Sequence, residues 1–327
     1  MKKTILLTIA FAVAMTASAQ SLKQGTLSNV TKLTNDVAVK YENPQWSPDG
    51  TKVAYTEFGF EKLYVVNADG TDKRRVSSAS GVGHMYQWSA DSREILVRDT
   101  RWVGDETTGV KHLHAGFLIE VASAQATRVT DDAEYMQPAA MRYSASGAKS
   151  VASIDSKSRA LSPAKFKAVP KAMVSDTAKR RALNLSFYID AENDVLYLVN
   201  ELGAKRMLVK GLCHCPVLSP DGKKAAFVKD DNVCVVNVDG SGMKVLSQGF
   251  HPSWVGNSQL VFEKTTDDGH TYTSGDLFIV NVNGSSLKQL TKTSGRIEMN
   301  ASVSPDGSKV AFTSFTDGQV YVADLST

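Results

Sequence analysis

The stretch Trp46-Ser47-Pro48-Asp49-Gly50, followed by the short apolar run Lys52-Val53-Ala54-Tyr55-Thr56, decides the fold because it recurs. Further copies of the turn stand at Leu218-Ser219-Pro220-Asp221-Gly222 and Val303-Ser304-Pro305-Asp306-Gly307. Degenerate versions begin at Trp88, Tyr143 and Trp254, and each is followed by a run of the same kind: EILVR, KSVAS, KAAFV, QLVFE, KVAFT. Proline presets φ near −65°, aspartate tolerates the next position, and glycine accepts the positive φ that closes a tight turn. Each motif therefore reads as a turn between two strands.

A second turn family follows about twenty residues later, as LYVVNADG (63–70), VCVVNVDG (233–240) and LFIVNVNG (277–284), with LYLVNELG (196–203) as a weaker relative. Each leads into a short strand with a similar tail: RRVS, KVLS, KQLT, RMLV. One repeat is thus four strands, and no 3.6-residue helical period is sustained across any of them. Four-stranded units repeated around an axis predict an all-β fold, a β-propeller of antiparallel blades. The last repeat stops at its third strand, VYVADLST (320–327), while Val30-Thr31-Lys32-Leu33-Thr34 resembles the tail Lys288-Gln289-Leu290-Thr291. Residues 29–34 are therefore expected to complete the last blade and close the ring. Turn counting predicts six blades with an insertion at 156–184. The widest gap, from Ser144 to Ser219, leaves room for seven.

The first nineteen residues read as a signal peptide. Lys2 and Lys3 precede an apolar run from Ile5 to Met15 that is too short to span a bilayer, and Ala17-Ser18-Ala19 supplies a cleavage site before Gln20. Residues 20–28 form a lead, and 29–327 the propeller. A buried N-terminal helix is the alternative reading of the first segment. The expected location is the periplasm, soluble and not embedded in a membrane. Of 37 basic residues, removing Lys2 and Lys3 leaves 35 against 34 acidic ones, and so near-neutral a chain gives no bulk attraction for nucleic acid. The three cysteines, Cys213, Cys215 and Cys234, are too few for a disulfide framework. Strand alternation would put Cys213 and Cys215 on one face, as small buried side chains or, less economically, as a C-H-C metal motif.

WSPDGTKVAY followed by LYVVNADGTDKRRV resembles the propeller repeats of the TolB family, the periplasmic component of the Tol–Pal system, over residues 29–327. Similar repeats occur in the propellers of prolyl-oligopeptidase-type hydrolases and of certain oligogalacturonate lyases. The resemblance implies a propeller and an envelope role. The propeller starts about ten residues after the expected cleavage site, so the N-terminal α/β domain of TolB proteins is expected to be lacking.

No G-x-S-x-G elbow, Walker A loop or dinucleotide fingerprint appears. The pairs Asp131-Asp132, Asp230-Asp231 and Asp267-Asp268 fall in expected loops and read as solvated turn residues. The stretch Ser156–Arg181 carries eight Lys and Arg side chains against Asp176 alone, which reads as a solvated insertion or as a tether for an anionic polysaccharide or acidic protein.

Connectivity separates the two ends of the ring. The SPDG and NADG turns share one end, and the long loops Asp99–Gly116, Ser156–Asn184 and Glu263–Asp276 fall at the other, where a rigid scaffold would position binding residues. All six histidines map to that end: His112 and His114 in the first long loop, His270 in the third, and His84, His214 and His251 just ahead of the innermost strands. Glu42, Tyr86, Trp102 and Glu298 lie nearby. These ten residues are the candidate ligand-binding set, and none is expected to be catalytic. His84, His214 and His251 are candidate metal ligands, which would make a divalent metal the one cofactor. A preference of histidine for loops explains the same clustering more plainly. The expected function is non-enzymatic binding of an envelope protein or peptide. The alternative is a metal-dependent polysaccharide lyase or other carbohydrate-active propeller.

Overall fold

The computed structural model describes residues 23–24, 27–105, 107, 109–134, 136–143, 149–155, 162–163, 182–200 and 204–326. The expected signal peptide, most of the lead and most of the 156–184 insertion with its basic run lie outside the described residues.

Apart from one short outer strand, the described strands are antiparallel within each sheet, as the turn spacing predicts, and the sheets follow one another in a ring. Four sheets have four strands arranged outward in chain order, 41–77, 87–128, 213–248, and 298–325 completed by Leu27–Lys32, and the sheet over 250–289 has four such strands and one more at its edge. The wide gap between Tyr143 and Ser219 holds two three-stranded sheets, over 136–163 and 186–210. The first strands Cys213–Leu218, Phe250–Val255, Glu298–Val303 and Tyr41–Trp46 touch in succession, which makes them part of the inner ring.

The turns fold as their residues require. In the first SPDG turn the Gly50 N–H donates to the Ser47 carbonyl at 2.9 Å, and Gly50, Gly222 and Gly307 have φ of 71°, 65° and 76°. The Ser47 hydroxyl donates to the Asp49 carboxylate at 2.6 Å and accepts from the Lys52 N–H at 2.9 Å. A residue with a Cβ would be strained at such a glycine.

Tryptophan binds one sheet to the next. Trp46, Trp88 and Trp254 are buried, and their indole N–H groups donate to the carbonyls of Ser302, Gln45 and Val217, each on the preceding described inner strand. Apolar clusters fill the wedges between sheets, as where Tyr41, Trp46 and Tyr55 pack against Ala311, Val320 and Val322.

Five of the described first strands carry one extra residue. Register slips occur between Glu42 and Gln45, Gln137 and Ala140, His214 and Val217, Phe250 and Ser253, and Met299 and Ser302. In each slip two residues oppose one, the signature of a β-bulge. Asn43, Cys215, His251 and Asn300 sit in these bulges with φ of 55°, 49°, 46° and 55°, and Met85 takes 56° at the matching place in the second sheet. Proline follows at 44, 138, 216 and 252, at points where the ladder is already broken.

The ring closes as expected, with a shift of two residues. Leu27–Lys32 pairs antiparallel with the last strand, Gln319–Leu325, and the Leu33 N–H continues the ladder by donating to the Val320 carbonyl at 2.8 Å. A feature the repeats did not announce is a fifth strand on the preceding sheet, where Lys23–Gln24 runs parallel to Lys288–Gln289.

Deleting residues 27–34 exposes the edge of the last strand and removes the buried Leu33, at a cost above about 3 kcal/mol. Among the described residues, removing 20–26 cuts the two-residue parallel pairing of Lys23–Gln24. Denaturant melts should show a much larger loss for the first truncation, with aggregation, and equal midpoints would refute the closure.

Candidate functional site

The strand ends set the site's shape. The hairpin Glu94–Val103/Lys111–Glu120 has ten residues on each side and Gln259–Asp267/Tyr272–Asn281 has nine and ten, against the six or seven of Lys52–Glu57/Glu61–Asn67. Both extend the same end of the ring, the end predicted from connectivity. That end also collects exposed apolar surface. Of twelve exposed large hydrophobic side chains among the described residues, eight lie there: Val37, Phe58, Phe60, Met85, Trp102, Val110, Leu212 and Tyr272. Scattered apolar exposure is ordinary, but concentration at one end is characteristic of an interaction surface.

Two polar clusters sit at this end, and the first is built on the bulges. His251 Nδ1 lies 2.6 Å from Glu263 Oε1, and the Asn300 backbone N–H donates to Glu263 Oε2 at 2.5 Å. Glu263 is fully buried, whereas 40% of the His251 side chain remains open. A carboxylate only accepts, so Nδ1 carries the proton it donates. The Glu263 charge raises the His251 pKa well above the ordinary imidazole value, outweighing burial. Glu42 receives the Phe60 N–H at 2.8 Å; burial lifts its pKa, while backbone N–H groups and the charge of His251 lower it.

The second cluster has the opposite character. Trp102 stacks on His112 with ring centroids 4.2 Å apart, and His112 meets His114 edge-on at 4.7 Å. His114 is buried, with Nδ1 3.0 Å from the Thr100 hydroxyl. Burial, then Arg98, His112 and His84, lower its pKa to about 4. His84 packs edge-on to Phe60 and is likewise lowered by burial and Arg98.

The remaining expected residues divide. His214 is exposed on the strand Cys213–Leu218, and His270 is exposed at the tip of the second long hairpin. Tyr86 is buried, its hydroxyl 2.7 and 2.9 Å from the carbonyls of Asn43 and Ala54, which makes it a brace between sheets. Glu298 is buried and accepts from Arg296 Nε and the Thr291 hydroxyl, both at 2.9 Å. Among the described residues no three His, Cys, Asp or Glu side chains are placed to hold a metal ion, so His84, His214 and His251 do not gather into one. His251 occupies the bulge, whereas His84 and His214 stand one residue ahead of the equivalent places at Met85 and Cys215. The bulge also separates the cysteines. Cys213 is buried and Cys215 exposed, because the inserted residue breaks the alternation that would have given them one face.

Sequence reasoning missed Glu263 and Asn300. The available signal was the proline after the bulge, in Cys215-Pro216 and His251-Pro252, together with a glutamate ending QLVFE where the related runs KVAYT and KVAFT end in threonine.

Among known proteins, a Tol-Pal system protein TolB from Alcanivorax borkumensis is 37% identical over 62 residues, 18% of this chain and 14% of that protein. A TolB homolog from Chlorobium luteolum is 28% identical over 121 residues, 34% of this chain and 26% of its own length. A solved structure from Agrobacterium tumefaciens that carries the TolB name aligns over 91% of this chain and 97% of its own, with a TM-score of 0.52 and 16% identity. Fold and repeats alike are TolB-like. The chain spans only about a seventh and a quarter of the two curated relatives it matches, and no protein-family model matches it. The TolB likeness therefore describes the propeller.

His114 gives this propeller an acid sensitivity. Its folded pKa of about 4 lies below the ordinary 6.5, so between these values the unfolded chain binds more protons and stability falls as pH falls. Urea melts from pH 7 to 4 should lose on the order of 2 kcal/mol through this group, and His114→Gln should flatten that slope. An unchanged slope in the variant would assign the acid sensitivity elsewhere.

Proposed function

We propose that this TolB-like propeller is an exported, non-enzymatic binding protein that engages a protein or peptide ligand of the cell envelope. The reading rests on one observation: exposed apolar side chains concentrate at the end carrying the two long hairpins. Trp102 and Phe58, 69% and 64% exposed, would be the anchors, since a few large side chains dominate most protein interfaces. The polar clusters between them would supply orientation. A carbohydrate ligand is the second reading, favoured by the exposed Trp102 ring on His112, a flat surface on which a sugar can stack.

Trp102→Ser and Phe58→Ser remove exposed surface, so the fold should keep its stability to within about 0.5 kcal/mol. The double variant should lose at least about tenfold in affinity for a partner captured from envelope extracts by the wild-type protein. Unchanged capture by the variant would move the interface elsewhere. Absence of any protein partner, together with eliminase activity on pectic oligomers, would favour the carbohydrate reading.

A further inference from the structure

Basic side chains at one recurring place fasten a sheet to the next. Arg74, Lys244 and Arg206 head the outer-strand tails RRVS, KVLS and RMLV. Arg74 Nη1 donates to the Ala122 carbonyl at 2.9 Å and Lys244 Nζ to the Asn283 carbonyl at 3.2 Å, each in the turn before the outer strand of the next sheet. Arg206 Nη1 stands 3.5 Å from the Val238 carbonyl, beyond the ordinary range for such a bond. At this junction, between the sheets over 186–210 and 213–248, the turns part around a cleft of about 390 Å³. Among the described residues its apolar wall is Leu185, Leu198 and Val238, and Lys205, Arg206 and Lys223 line it with no acidic side chain. Gly222 of an SPDG turn and Asn200 of the second turn family also border it, which puts the cleft at the end of the ring opposite the long hairpins.

We propose that this cleft binds a small organic anion, a carboxylate carried on an apolar chain. The chain would lie against Leu185, Leu198 and Val238, and the carboxylate between Arg206 and Lys223. Lys205 turns its ammonium onto the Tyr188 ring, 3.5 Å from the centroid, and so leaves the head group to the other two. The Lys223 backbone N–H is tied to Ser219 and Asp221, whereas its Nζ makes no hydrogen bond or ion pair among the described residues. Arg206 has committed one N–H donor to a long bond and keeps the rest of its fork, which matches a carboxylate through two parallel donors. Asp221 and Asp239 adjoin the cleft in sequence, but each is held by its own turn. Asp221 Oδ1 accepts from the Ser219 hydroxyl at 2.7 Å, and Asp239 Oδ1 from the Ser241 hydroxyl at 2.6 Å. Pockets for organic ligands start at about 300 Å³, so the cleft suits a short chain, whose burial supplies affinity while the cations fix its direction. The site is independent of whether the apolar end of the ring binds a protein.

The test titrates octanoate into the full chain by isothermal calorimetry at low ionic strength, with 1-octanol as the neutral counterpart. Octanoate should saturate a single site, and octanol should bind at least about tenfold more weakly. Arg206, Lys223 and Ala204 are exposed, so their substitution leaves the core intact. The double variant Arg206→Gln, Lys223→Gln should lose at least about tenfold in octanoate affinity, since hydrogen bonds to a charged group are removed. Ala204→Trp, at the border of the cleft, keeps the backbone bond to Asn200 Oδ1 and fills the space, so it should abolish binding. Circular dichroism and melting temperature establish that both variants are folded. Octanoate that fails to saturate the wild type overturns the proposal without reference to any variant. So does octanol that binds as tightly as octanoate, or wild-type octanoate affinity in either folded variant.

Discussion

A strand bordering a narrow channel has to turn its side chains two ways at once, toward the axis and into the wedges between sheets. The extra residue in each inner strand meets that constraint. Around it the strand bends and twists more sharply, and one residue is freed from pairing to face the channel end. Opposite four of the bulges stand Tyr55, Phe227, Phe262 and Phe312, all fully buried. The aromatic ring fills the wedge while the bulge supplies a short stretch of backbone that packs over it. Left-handed φ at Cys215, His251 and Met85 costs on the order of 1 kcal/mol each, a cost the surrounding packing offsets. The tryptophan bonds between sheets and the polar ring at the channel mouth both depend on this local geometry.

The same architecture bears on why histidines in two clusters at one end have pKa values shifted in opposite directions. The second strand of each four-stranded sheet holds a residue beside the bulge, and these are Thr56, Arg98, Val228, Glu263 and Thr313. Threonine at this place caps its own sheet, as Thr313 does by donating to the Met299 carbonyl at 3.1 Å. Burial, reinforced by arginine at this place, lowers the pKa of His84 and His114, whereas glutamate at the same place raises that of His251. This strand position thus contributes to the electrostatics of its sector while the scaffold stays unchanged.

The turns, the four-strand repeat, the closing strand and the end bearing long loops were legible in the sequence because each rests on local chemistry: proline, glycine and asparagine at fixed offsets, with alternation between them. The bulge was not legible, since an inserted residue leaves composition intact and shifts the parity of what precedes it. That one-residue shift put Cys213 and Cys215 on opposite sides and separated His84 and His214 from the position of His251. Tyr86 and Glu298 show a different limit. Their polar atoms looked available for a ligand, yet they satisfy backbone carbonyls and a half-buried arginine, and only the folded chain brings those partners to them.

The pairing of Leu27–Lys32 with Gln319–Leu325 also sets the order of events during synthesis. Sheets built from consecutive strands can form as the chain emerges, each from local contacts. The final sheet cannot, because its outer strand is made first and its inner three last. Nearly the whole chain must be present before the two ends meet, so the slowest contact to form is the one that locks all the others. Until then the early strand waits with unsatisfied backbone groups, and a chaperone that covers residues 27–34 would guard the step on which the ring depends.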